Sequence, residues 1–236
     1  MKTKKYLLYL LAGLLGGCSA PFFSVHPLFT KDTLVFEEKL LGVWVSEQTQ
    51  EDIKQLSWEF KRLGKSDDSL SLLPSVEGIY DKAYELVLSD SNGPKGSFVV
   101  CSVKLKDRLF LDLYPKRLPC QAQDPNQDPN LLTWGFNTFF FVPVHTFMII
   151  DAIGSKLEMR WSMNSSMQEV LQEPNAPSHT WVQGTPLLTA STQELQAFAL
   201  KYADGVKVFA GKIVLIRRQS TPVACGDQGA PQPPDR

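Results

Sequence analysis

The sequence predicts a mainly β protein: an antiparallel meander followed by one helix late in the chain and a final strand. Three observations predict it. Short apolar runs alternate with polar residues at period two, as half-buried strands do, and turn-forming clusters separate them. A single segment, about 191–203, carries helical spacing with start and stop signals. A last apolar run, Lys212–Arg218, closes the ordered part.

The chain opens on a targeting segment. Lys2, Lys4 and Lys5 precede an apolar run from Tyr6 to Leu15. That run is shorter than the roughly 20 residues a spanning helix needs and fits a signal peptide over 1–17. Leu14-Leu15-Gly16-Gly17-Cys18 then reads as a lipobox, with cleavage before Cys18 and lipid on its thiol. An ordinary secretory signal is the alternative. The stretch resembles bacterial lipoprotein sites, which carry a diacylglyceryl thioether and an N-acyl chain. Several acyl chains anchor stably where one binds only marginally. By resemblance to Gram-negative lipoproteins, Ser19 rather than Asp after the cysteine implies the outer membrane, in a cell with two membranes. Residues 18–39 are expected to form a tether, apolar enough at Phe22, Phe23, Phe29 and Phe36 to lie on the domain or near the membrane.

The ordered domain is expected over 40–218. Leu40–Val45 is the first strand, and Trp58-Glu59-Phe60 the second. Tyr84–Leu88 and Phe98–Lys104 flank a strong turn signal, Ser89 to Gly96. Val99, Cys101 and Val103 fall on one face. Leu109–Tyr114 follows the Lys106-Asp107-Arg108 turn and ends at Pro115. Residues 115–133 read as a long surface insertion. Phe136, Phe139, Phe140, Phe141 and Phe147 follow it closely. They read either as core or barrel-mouth packing, or as an apolar surface for a ligand or partner. Val144–Ile150 and Lys156–Met163 form a hairpin around Asp151–Ser155, the second strand alternating through Leu157, Met159 and Trp161. Residues 172–186, with Pro174, Pro177 and Pro186, read as loop. Ser191 and Glu194 make a capping box for the helix, whose apolar stripe is Leu195, Phe198, Ala199 and Tyr202. Residues 219–236 carry four prolines and little apolar content, as a disordered tail does.

Loss of residues 1–17 removes three lysines, leaving 21 basic and 25 acidic side chains, a net charge of −4. That balance lacks the electrostatic footprint of a nucleic-acid binder or of a polybasic membrane patch. After Cys18, three cysteines remain. An oxidising envelope allows one pair, and Cys101–Cys120 is preferred over Cys120–Cys225, with three unpaired thiols as the alternative. No Cys-x-x-Cys or Cys/His cluster has zinc spacing, so no metal or cofactor is expected.

Gly42-x-Trp44 opening the meander, the late helix and the basic-ended last strand resemble the lipocalin, or calycin, barrel plan. The resemblance implies that the meander closes into a barrel. It also implies that Arg217 or Arg218 packs on the Trp44 ring at the closed end. Three stretches, His26 to Trp44, Leu111 to Pro115 and Leu188 to Phe198, further resemble a set of uncharacterised bacterial lipoproteins. That second likeness implies no activity.

The chemistry expected is non-enzymatic. His26, His145 and His179 are the only imidazoles, and no nucleophile elbow, phosphate loop or dinucleotide fingerprint is present. His145 is expected to bond a loop or face water. Asp112, between Leu111 and Leu113, is either outward-facing or a buried acid accepting backbone hydrogen bonds. The first expectation is therefore a lipid-anchored envelope protein binding an apolar ligand or lipid. The second is a protein–protein module of envelope assembly, and the third a hydrolase using His145 and Asp151.

Overall fold

The computed structural model describes residues 21–46, 56–64, 79–90, 93–116, 143–162, 167–182 and 184–218. Eight antiparallel strands close into a barrel. They are β3 (Gly42–Ser46), β4 (Ser57–Arg62), β5 (Ala83–Asp90), β6 (Gly93–Leu105), β7 (Arg108–Pro115), β8 (Thr146–Ile153), β9 (Lys156–Ser162) and β12 (Phe209–Arg217). Each pairs with its sequence neighbour, and β12 closes the ring between β9 and β3. This is the meander expected from the alternating runs. Its ends differ at turns: β5 and β6 extend to Asp90 and back to Gly93, and β8 runs on to Ile153 before Gly154 and Ser155 turn the chain.

Strand alternation divides the side chains into two cores. Inward residues fill the barrel: Trp44, Tyr84, Leu86, Leu111, Met148 and Met159 are each 0% exposed. An eight-stranded barrel has an interior just wide enough for side chains to fill. Outward residues of β6, β7 and β8, among them Val99, Cys101, Phe110 and Phe147, form a second core with the segments that cross them. These strands are therefore buried on both faces, where alternation alone predicts one. The covering segments were separate in the sequence, so their contribution to strand burial was not visible there.

The cover has three parts. The first is the N-terminal segment, including β1 (Phe23–Ser24), β2 (Leu34–Val35) and a 3-10 turn at Glu38–Leu40. From Phe22 onward the expected tether belongs to the domain, because Phe22, Leu28, Phe29 and Leu34 are buried in the outer core. β2 pairs with β6 at Val103 and Ser102, just past the point where β5 stops opposite Cys101. The second part is the short helix α2 (Met167–Leu171) and a hairpin, β10 (His179–Val182) and β11 (Thr185–Leu188). The sequence reads as loop over 172–186; β10 and the start of β11 lie in its second half. Pro186 is tolerated because β1 meets β11 only at Leu187 and Leu188. The third part is helix α3 (Thr192–Tyr202), with Leu195, Phe198, Ala199 and Tyr202 buried as its stripe predicts. A one-turn helix, α1 (Ile79–Lys82), leads into β5.

Candidate functional site

At one end of the barrel the chain is sealed by the residues that carried the family resemblance. Arg217 lies opposite Trp44 in the β3–β12 register, and its guanidinium sits 4.3 Å from the Trp44 ring centroid. The same guanidinium donates from Nη1 to the Leu41 carbonyl at 2.7 Å and from Nη2 to the Lys39 carbonyl. Trp44 Nε1–H donates to the Leu40 carbonyl at 2.8 Å. A tryptophan and an arginine thus tie the 3-10 turn across the barrel floor. Gly42 is required twice over: its φ is +116°, and a Cβ there would lie 3.0 Å from Arg217 Nη1. Arg218, the other candidate, instead gives its backbone N–H to the Val43 carbonyl. Beside the seal, Phe36 stacks on Tyr84 at 4.7 Å, with the Arg62 guanidinium 4.1 Å from the Phe36 centroid.

The outer core holds the polar group that the sequence marked as anomalous. Asp112 is 1% exposed and accepts from the Leu28 backbone N–H at 2.7 Å. Its other oxygen lies 2.7 Å from His145 Nδ1. His145, expected to face a loop or water, is 2% exposed and packed beside Tyr114, with ring centroids 4.8 Å apart. It lies outward at the start of β8, where the N-terminal segment covers it: Ser24 and His145 exchange backbone hydrogen bonds of 2.9 Å. Nearby, the Thr146 hydroxyl donates to the Phe22 carbonyl at 3.1 Å, and Gln196 Nε2 to the Leu28 carbonyl at 2.8 Å. Strand, helix and N-terminal segment are thus joined around one buried carboxylate.

The pairing of His145 with Asp151 is corrected by this geometry. Asp151 receives two 2.8 Å hydrogen bonds from Arg160 instead. These bonds are the main reason that the Arg160 guanidinium holds its proton more tightly than usual. Arg160 also donates to the Ala203 and Gly205 carbonyls, each at 2.7 Å, and so caps the C-terminal end of α3. Sequence reasoning missed this junction: Arg160 and Ala203 are distant in the chain and neither has a local motif.

Cys101 sits opposite Asp112 in the β6–β7 register. It is a buried free thiol, and Cys120, its expected partner, lies outside the described residues. Burial, then the neighbouring Asp112 charge, pushes its pKa well above the ordinary value. That is the wrong direction for a nucleophile, which works as thiolate. Cys101 and His145 thus each neighbour the same buried carboxylate.

Of the aromatic group, Phe147 lies in the outer core, 1% exposed, in an edge contact of 5.9 Å with Phe22. It is neither a surface nor a barrel-lining residue. Phe136, Phe139, Phe140 and Phe141, together with Cys18, Cys120 and Cys225, lie outside the described residues. Among the described residues, no group of His, Cys, Asp and Glu could hold a metal ion, and no helix is long and apolar enough to cross a membrane.

The fold and its sealed end define a class: closed eight-stranded antiparallel barrels, consistent with the lipocalin-like plan. No family model, curated protein or solved structure matches the chain.

Proposed function

We infer that this chain is a lipid-anchored, non-enzymatic module of the cell envelope that acts through its outer surface by docking to an envelope partner. In a cell with two membranes its place is the outer one, facing the periplasm. The lipobox ending at Cys18 supports the anchor. The observation that carries the mode of action is the packed barrel. Trp44, Tyr84, Leu86, Leu113, Met148 and Leu157 are fully buried inside it, which argues against a lumen holding an apolar ligand the size of a lipid.

One observation favours the second reading, an apolar ligand at the barrel rim. Leu88, Phe98, Trp161 and Ile213 are only partly buried, and the buried Trp161 Nε1–H has no hydrogen-bond partner among the described residues. An apolar molecule with one acceptor would suit them. Native mass spectrometry of the full acylated chain, released from membranes in mild detergent, separates the two. The expected mass is the acylated chain without a bound small molecule. A stoichiometric, extractable lipid beyond the covalent anchor would transfer the assignment to a rim-binding carrier.

A further inference from the structure

We propose that the small sheet β1–β11–β10 is the face on which this protein sits on the bilayer, with the β10–β11 hairpin entering the headgroup layer. The proposal rests on acylation of Cys18 and goes beyond it by assigning the protein surface that contacts lipid.

Chain reach comes first. The N-terminal segment is built into the domain from Phe22, so only Ser19 and Ala20 separate Cys18 from Pro21. Three residue steps span at most about 11 Å. A barrel on so short a lead has little freedom to choose which side faces the membrane.

Direction comes second. β1 runs parallel to β11, Phe23 against Leu187 and Ser24 against Leu188. Followed backwards from Phe23, the chain therefore heads toward Thr185 and the turn that joins β11 to β10. The anchor and the hairpin turn lie at the same end of this sheet.

Surface chemistry comes third. Charged residues make up 21% of the chain, yet residues 19–30 and 174–193 contain no Asp, Glu, Lys or Arg. These two runs, far apart in sequence, supply all three strands. Nothing in them must shed a charge's hydration on approaching lipid. Trp181 and Val182 are 45% and 52% exposed on β10, next to the turn into β11. A half-exposed tryptophan on an uncharged hairpin is the side chain expected at a membrane–water interface. The headgroup layer is about 5–8 Å deep on each side, within reach of the lead.

The test uses the full acylated chain reconstituted into vesicles of phosphatidylethanolamine and phosphatidylglycerol, doped with phosphatidylcholine brominated in its acyl chains. Bromine quenches indole emission only at close range. The reconstituted protein should lose about a fifth of its tryptophan emission, the share of one in five tryptophans, relative to bromine-free vesicles. Trp181→Phe should remove that loss, and Val182→Asp should reduce it. Both positions are exposed, so neither change threatens the fold. Intact mass reads acylation separately. Acylated, vesicle-bound protein whose quenching survives Trp181→Phe, or that shows none, overturns the seat while leaving the anchor standing. That outcome is expected if a protein strand covers the β10 edge instead. Absence of lipid on Cys18 overturns the anchor and the seat together.

Discussion

At position 42 only glycine meets both demands, a φ of +116° and room for the Arg217 guanidinium. Gly42→Ala should cost about 1–3 kcal/mol, the usual cost of a strained backbone position, and a urea unfolding midpoint will read it. A neutral result would mean that Arg217 can swing aside without loss. Asp112 makes the second claim at this scale. Asp112→Ala would leave the buried Leu28 N–H and His145 Nδ1 without their acceptor, at about 3 kcal/mol for two unsatisfied groups. Hydrogen exchange should then speed up across residues 22–35; unchanged protection there would show that apolar packing alone holds the segment. Gly42 and Trp44 were legible because their spacing is local. The partner of His145 was not, because Asp112 and His145 meet only when β7 and β8 pair under the N-terminal segment.

Among the elements, α3 was the most legible. Its capping box, stripe and stop signal are written within one contiguous stretch, and Ser191 and Glu194 make both reciprocal bonds. Ser191→Ala should cost about 1 kcal/mol, seen as a lowered thermal midpoint, whereas Thr192→Ala would test a different contact, its 2.9 Å bond to the Pro27 carbonyl. The alternating strands were legible for the same local reason. β10 and β11 were not. Three prolines over 172–186 read as loop, and the strands exist because β1 and the hairpin pair with each other. β12 also began earlier than its apolar run, at Phe209, through a bulge between Phe209 and Gly211 that brings Phe209 into the outer core.

The molecule as a whole is one barrel with two cores separated by a shared wall, β6 to β8. Both cores place ionisable groups in low-dielectric surroundings, Cys101 in the outer one and Tyr84 in the inner one. Burial is the largest cause raising both the Cys101 and Tyr84 pKa values. Both groups are neutral when protonated, and above their unfolded values the unfolded chain holds fewer protons than the native one. Stability from this source is therefore intact below about pH 8.5, the ordinary thiol value, and declines as pH rises through the folded values. Urea midpoints should be flat from neutral pH to that point and fall beyond it, and Cys101→Ala should lessen the alkaline fall. An equally steep fall in that variant would assign it to other groups.

Local chemistry alone established the strand periods, the capped helix and the glycine–tryptophan opening, since each depends on residues within a few positions of one another. Tertiary structure decided the rest. It closed the meander, buried aromatic and aliphatic side chains inside it, and chose Arg217 over Arg218. It paired His145 with Asp112 and turned the expected tether into a wall of the second core. Those outcomes depend on which strands become neighbours and which faces a distant segment covers. Burial of apolar area sets both, and it rewards contacts without regard to their separation along the chain.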